Sequence, residues 1–390
     1  MSPPRLALVF YNPTPPGGSE LVMAWTIQAL RDRARLTVIT SGEIDPGRWN
    51  PLFGTSLAPR DFDIIRLPIP PFLGRNLRTF MLARHLYMRA CRRLAPRFDA
   101  CFSLQAEMDF GRRALQYVYW PGHRRDVKTL HPRTALGRAY VWFHEEVLGF
   151  PGRRLRCALS GFSLEGIRRN ATLACSEYTA GMMREFYGID ARVVYPPVPP
   201  AGGPRLEWGD REDRFLFLGR LDEDKRPHEA IDILSRVRRR GFPVRLHLVG
   251  RPGARGYYRR LRRAVEENGE WVREEGALPR RALEEMRARC RYAINCCPTE
   301  GFGIAVAEAV QAGCVTFVLD AGAQREIVGD GRMKYSSPDE GAERIAAVLA
   351  SRGLQEDLRR LSASWASRFT AERYVGEIRG IVAEFLERRG

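Results

Sequence analysis

Lysine is nearly absent from this chain: Lys128, Lys225 and Lys334 stand against sixty arginines. No apolar stretch approaches the roughly 18 residues needed to cross a bilayer, so an integral membrane protein is excluded. The opening MSPPRLALVF holds too short an apolar run for a signal peptide and alternates like a strand. Eight cysteines occur without a CxxC or any metal-type spacing, and Cys296-Cys297 is the only close pair. That pattern argues against a zinc domain and a disulfide scaffold, and for reduced, buried thiols in a cytoplasmic protein. Neither GxGxxG nor GxxxxGK[ST] occurs, which removes most of the case for a dinucleotide dehydrogenase or a P-loop enzyme. Zinc-finger, RNP-type aromatic and helix-turn-helix signatures are also missing, so no nucleic-acid partner is expected.

What is present is a soluble-type composition, 44% hydrophobic and 28% charged, over 390 residues. That length suits two domains, each with its own core. The net charge of +17 is unevenly placed. Residues 1–200 carry 28 Arg/Lys against 16 Asp/Glu, and residues 201–390 carry 35 against 30. Between Ile64 and Phe98 there are eight arginines and no acidic residue. Such a surface suits phosphates or anionic lipid, although a solvated basic face is the simpler reading.

Short β-rich runs alternate with amphipathic stretches along both halves, the pattern of parallel sheets wrapped by helices. In the first half strands are expected at 6–10, 36–40, 64–67, 100–103, 116–119, 172–174 and 193–194. Helices are expected near 18–33, 75–95, 135–148, 152–169 and 177–187. The proline-rich Tyr195–Pro204 segment reads as the linker. A second series of strands follows near 214–218, 244–249, 271–274, 292–295, 315–319 and 333–335, with helices between them and two more in the tail. The expected fold is α/β: two doubly wound, Rossmann-like domains facing each other across a cleft. Residues 1–198 would form the first domain and 199–368 the second. The helix over 369–390 would cross back to the first.

Ligands in such sheets sit beyond the carboxyl ends of the strands, where three loops gather chemistry. The first, Asn12 to Glu20, holds Gly17-Gly18 before a helix, where backbone can approach a ligand and free amides face an anion. A tight strand-to-helix turn explains the same residues. The second runs from Phe217 to Lys225 and places Gly219-Arg220 and Lys225 at a strand end. A guanidinium fork and an ammonium can converge there on one diphosphate. Asp222-Glu223-Asp224 has the outline of a metal-binding DxD, but nothing nearby adds oxygen ligands; a solvated acidic turn is expected and no metal. The third loop, Cys297-Pro298-Thr299-Glu300-Gly301-Phe302-Gly303-Ile304 and on to Glu308, follows a strand and opens a helix. It offers bare amides to a phosphate and two carboxylates to sugar hydroxyls. A carboxylate near a helix N-terminus has its pKa lowered, so binding suits the pair better than acid/base work.

Together the E-x7-E element EGFGIAVAE, the GR-x4-K loop and the Gly-Gly turn resemble the retaining GT-B glycosyltransferases of family GT4. The likeness extends to Val194–Val198, Gly276-Ala277-Leu278 and Phe369–Tyr374. Tyr117-Val118-Tyr119-Trp120-Pro121 and the Tyr-Pro-Pro junction are similar to the mannosyltransferases that extend lipid-linked oligosaccharides. The resemblance implies that Arg220 and Lys225 hold the diphosphate of a GDP- or UDP-sugar. It implies that Glu300 and the amides of Gly301, Phe302, Gly303 and Ile304 hold the sugar. Glu308 would take the ribose hydroxyls and Leu278 would lie against the base. Transfer of a hexose, mannose or glucose, would retain configuration by front-face attack, the leaving phosphate taking the acceptor proton, with no metal or cofactor required. The family often places a histidine in a Y-x-H-x-P motif; here Tyr119 stands in that place. His123, in PGHRR, is the candidate substitute, with Tyr119 and Trp120 as cleft or acceptor residues. His85, His131, His144 and His247 read as structural.

The acceptor is expected to be a glycan, lipid-linked, bound by the first domain. The stretch Leu73–Arg89 mixes arginines with large apolar residues at helical spacing, as a helix lying on an anionic membrane would. A helix packed on its own sheet gives the same pattern. Residues 123–128 could form a loop over the cleft. A catalytically silent sugar-nucleotide-binding homologue and a GT-B sugar-nucleotide epimerase are the alternatives.

Overall fold

The computed structural model describes residues 2–11, 17–69, 77–122, 149–204 and 206–388. The chain divides into two compact units, Met1–Pro197 with Tyr374–Gly390, and Val198–Arg373.

The first unit is built on a seven-stranded sheet: β1 Arg5–Phe10, β2 Arg35–Thr40, β3 Asp63–Arg66, β4 Ala100–Ser103, β5 Leu115–Val118, β6 Ala171–Ala174 and β7 Arg192–Val193. The strand order is β3-β2-β1-β4-β5-β6-β7, and every pairing is parallel. Arg5 alone of β1 is exposed, and the next five residues are buried. Continuous apolar runs of this kind belong to strands covered on both faces. The helix Leu77–Leu94 lays Ala83, Tyr87, Met88 and Cys91 into the core beside Ala7, Val9 and Cys101. Arg89 and Arg93 stay outside. The four core side chains are therefore committed to the helix's own sheet, while Leu86 is exposed. Residues 73–76 and 123–148, with the expected helix 135–148, lie outside the described residues.

Where one helix was expected over 152–169 there are two, Gly149–Ser160 and Leu164–Arg168. Gly161 sits at φ +71 between them, and the Ser163 hydroxyl accepts from the Gly166 amide to cap the second. The short helix Pro46–Phe53 was not anticipated, because its internal Pro51 hides the pattern; Asp45 caps it and Gly54 closes it at φ +69.

The second unit carries a six-stranded parallel sheet, β8 Glu212–Leu218, β9 Arg245–Val249, β10 Val272–Gly276, β11 Cys290–Asn295, β12 Val315–Leu319 and β13 Lys334–Tyr335, in the order β10-β9-β8-β11-β12-β13. Val198, within the proline-rich segment, donates its amide to the Phe369 carbonyl at 2.8 Å and belongs to this unit. The last helix, Ala371–Glu387, starts here and from Tyr374 onward belongs to the first unit. There the Tyr374 hydroxyl meets Thr26 Oγ1 at 2.7 Å, and Arg379 Nε donates to the Ala29 carbonyl at 2.8 Å.

In both sheets the order turns back on itself, between β1 and β4 and between β8 and β11. These are the switch points at which open α/β sheets leave a crevice for ligands.

Among the described residues no helix is long and apolar enough to cross a membrane.

Candidate active site

At the β8/β11 switch point the loops leaving the two strands meet. β8 runs out through Gly219 and Arg220 to Lys225, and β11 leads to Glu300 and then to the helix Ile304–Gln311. Lys225 Nζ lies 2.6 Å from Glu300 Oε2, so the sequence-predicted cation and carboxylate are in direct contact across 75 residues of chain. Asp222 shapes the first loop: its Oδ2 takes Arg220 Nη1 at 2.8 Å and its Oδ1 accepts the Lys225 amide at 3.1 Å. The aspartate is buried while the arginine is mostly exposed, leaving much of the guanidinium open to a ligand. The literal Asp222-Glu223-Asp224 is thus partly spent on holding this loop.

Arg226 follows Lys225 with φ +53, the one positive value among the described non-glycine residues, and precedes Pro227. A side chain in that conformation stores of order 1 kcal/mol of strain, and such positions gather at functional sites. The second loop is anchored through the Glu300 carbonyl, which accepts from Ala323 N at 2.8 Å. Gly303 opens its helix at φ +103, a conformation that favours glycine. Phe302 is buried, its ring packed edge-on to Phe369 with centroids 5.5 Å apart. Phe302 therefore supports the loop through its ring.

Burial would lower the Lys225 pKa, but the Glu300 carboxylate and the Cys297 thiol outweigh it, and the net shift is upward. The ammonium is therefore charged across the neutral and mildly alkaline range. Its contribution to stability is complete below the unfolded lysine value and lost only as pH rises through the higher folded one. Glu300→Gln removes the largest upward influence, leaving burial to act. We predict that this variant brings the alkaline limb of pyrophosphate binding to lower pH, read as Kd against pH; an unmoved limb would mean that Glu300 does not hold the charge. Cys297 beside them is pushed up by burial against the opposing pull of Lys225, so it is a poor nucleophile at neutral pH.

Glu308 lies on the same helix, and its Oε2 is 3.0 Å from Arg287 Nη1 of the helix Arg280–Arg289. Leu278, just past the end of β10, packs against a core cluster with Leu218. Sequence reasoning missed Arg287, which sits four residues after Leu283 on the inward side of its helix; an arginine on an apolar face was the available signal. It also missed Gly250 in Val-Gly-Arg-Pro-Gly. A Cβ on Gly250 would fall 1.7 Å from the Gly219 carbonyl oxygen, so β9's exit packs backbone to backbone on the loop bearing Arg220.

The candidates of the first unit form a separate group. Gly17 caps the helix Gly18–Leu30, and its amide donates to Glu20 Oε2 at 2.9 Å, with Ser19 Oγ on the same oxygen at 2.9 Å. Burial raises the Glu20 pKa, opposed by these hydrogen bonds. Tyr119 follows β5; its hydroxyl donates to the Ser19 carbonyl at 3.4 Å and its ring stands edge-on to Tyr117 at 5.2 Å. Trp120 lies against Tyr178, centroids 6.1 Å apart. His123, His131 and His144 lie outside the described residues. His85 is buried against Ser160 Oγ at 2.8 Å, and burial together with Arg84 and Arg156 holds its pKa down to about 4, as suits a neutral core histidine. His247 pairs with Glu275 at 2.7 Å within the second unit.

Two parallel sheets wrapped by helices, with polar loops at a switch point, define the GT-B class of α/β enzymes, and solved structures agree. The chain is similar to HepE from Anabaena, solved with UDP and glucose (17% identity, TM-score 0.66, 99% of this chain and 100% of that one). WaaG, a glycosyltransferase involved in lipopolysaccharide biosynthesis, is similar at 14% identity and TM-score 0.67, over 96% of this chain and 99% of its own. Sucrose-phosphate synthase from Thermosynechococcus elongatus is similar at 16% identity and TM-score 0.68, over 99% and 100%. No curated protein sequence matches the chain. Residues 204–365 match the family described as Glycosyl transferases group 1. The second unit thus carries a glycosyl transferases group 1 domain, and the chain is an enzyme of the glycosyltransferase class.

Proposed function

We propose that the protein is a retaining hexosyltransferase of family GT4, moving mannose or glucose from a nucleotide diphosphate sugar to a hydroxyl of a glycan acceptor. The observation that carries this reading is the Lys225–Glu300 contact at the β8/β11 switch point, with Arg220 exposed beside it. Lys225 and Arg220 would neutralise the charge growing on the departing diphosphate, the largest electrostatic demand of the reaction. Glu300, relieved of Lys225 when the diphosphate binds, would accept hydrogen bonds from sugar hydroxyls. The amides from Gly301 to Ile304 line the same pocket, and Glu308 takes the ribose. A preorganised cation at the leaving group asks for neither metal nor cofactor. Similar structures were solved with UDP or UDP-glucose, which supports a uridine donor as much as the guanosine donor the sequence admits.

The acceptor falls to the first unit, with Tyr119, Trp120 and His123 as its residues, while the backbone of Gly17 and Gly18 is assigned to the donor. A lipid-linked glycan suits the basic charge of residues 1–200. Since Ala83, Tyr87, Met88 and Cys91 of the helix Leu77–Leu94 pack on its own sheet, peripheral membrane contact on the cytoplasmic side would be mainly electrostatic, through outward arginines such as Arg89 and Arg93 beside the exposed Leu86. The closer likeness to lipid-linked oligosaccharide mannosyltransferases rests on the Tyr117–Pro121 and Tyr195–Pro197 residues.

A thermal-shift series with UDP-glucose, UDP-N-acetylglucosamine, GDP-mannose, UDP and GDP, with and without EDTA, tests the donor site. One nucleotide class should raise the melting midpoint by several degrees at 100 times its Kd, about 2.7 kcal/mol of stabilisation, and EDTA should leave the shift unchanged. No shift with any of them would overturn the reading.

A further inference from the structure

Arg287 is 3% exposed, although arginine is among the residues least often buried completely. It lies on the helix Arg280–Arg289, and its Nη1 meets Glu308 Oε2 at 3.0 Å. The Glu308 side chain keeps 17% of its surface, so the carboxylate stands between a buried guanidinium and the solvent-facing side of the site. Arg287 Nε has no hydrogen-bond partner, and the Arg287 carbonyl is approached by the Cys314 thiol at 3.6 Å. A guanidinium buried at the cost of an unmet donor is seldom kept for stability alone, since an apolar residue of similar size would often serve as well.

We propose that Arg287 is a positioning residue for nucleotide recognition. It fastens one oxygen of Glu308 from behind, so that the other is presented to the vicinal hydroxyls of a bound ribonucleotide. This rests on the assignment of Glu308 to the ribose. A free glutamate samples several rotamers and must be ordered when the ligand arrives. One paired with a buried, always-charged guanidinium is ordered beforehand, and more of the hydroxyl–carboxylate interaction then goes into affinity. Arg287 is itself buried behind Glu308 and acts only through it. The arrangement gives the site a means of preferring ribose to 2′-deoxyribose, which neither Lys225 nor Arg220 can distinguish.

The test is a titration of the full-length chain with UDP, GDP, 2′-deoxy-UDP and 2′-deoxy-GDP. With the base that binds, the wild-type chain should prefer the ribonucleotide about tenfold or more, the scale of one hydrogen bond to a charged group. In Arg287→Met the preference should fall to within about threefold, the ribonucleotide weakening clearly more than the deoxynucleotide, which has only its 3′-hydroxyl to lose. Arg287→Lys, which keeps the charge without the fixed fork, should fall between the two. Equal weakening of both nucleotides, or an unchanged ratio, overturns the inference. If the methionine variant does not fold, the lysine variant decides: a ratio reduced at least threefold supports it and an unchanged one overturns it. A wild-type chain that shows no preference overturns the ribose assignment and this inference together. The diphosphate part of the functional reading is separately checked by Lys225→Ala, which should weaken both nucleotides alike.

Discussion

Lys225→Ala is expected to lower kcat for sugar transfer on the order of 10²–10³-fold, the usual consequence of deleting one preorganised donor at a developing anion. The ammonium is in place before any substrate binds, 2.6 Å from Glu300, and its raised pKa keeps it charged. If Lys225 neutralises the leaving diphosphate as proposed, its charge requires little rearrangement in the transition state. Both side chains retain some solvent access, so the variant should fold, with a melting midpoint within a few degrees of wild type. Steady-state kinetics with donor varied, beside circular dichroism, separate the two effects. A kcat within threefold of wild type in a folded variant would remove Lys225 from the mechanism.

Gly250→Ala should be the most damaging single methyl group in the second unit. It meets backbone, the Gly219 carbonyl oxygen at 1.7 Å and the Gly219 carbonyl carbon at 2.7 Å, where no rotamer change can help. Either the exit of β9 or the Gly219-Arg220 turn must move. Overpacking of this kind costs about 1–3 kcal/mol or more. If Arg220 holds the diphosphate as proposed, an ångström of displacement there can cost about 100-fold in rate. Gly256→Ala is the control: nothing lies within 4 Å of its added Cβ, and it sits inside the helix Arg255–Glu267. There alanine should stabilise by up to about 1 kcal/mol. Melting midpoints and kcat of both variants check the pair. A Gly250→Ala chain as stable and active as wild type would show that the turn has slack.

Much of this architecture was legible because parallel strands buried on both faces must be apolar throughout. Runs such as Leu6–Phe10 and Val315–Leu319 announce themselves, and the thirteen strands among the described residues fall within two residues of their expected starts and ends. Helices broken by local chemistry were harder. Gly161 and Ser163 divide one apparent helix into two, through a left-handed turn and a hydroxyl cap that periodicity does not weigh. Pro51 concealed another. Of the site, Arg220, Lys225, Glu300 and Glu308 were visible because charged residues at strand ends and helix starts stand out from their surroundings. Arg287 and Gly250 were not. One looks like any arginine in a chain of sixty, and the other like any glycine in a turn.

By itself, then, the sequence determined two doubly wound sheets and which loops would carry charge, because periodicity and residue type act within a few neighbouring positions. Only the tertiary structure decided that Lys225 touches Glu300, that Glu308 leans on a buried guanidinium, and that two backbones meet at Gly219 and Gly250. Those contacts join residues 21 to 75 positions apart, and strand order and register, which set such distances, depend on the whole packed sheet.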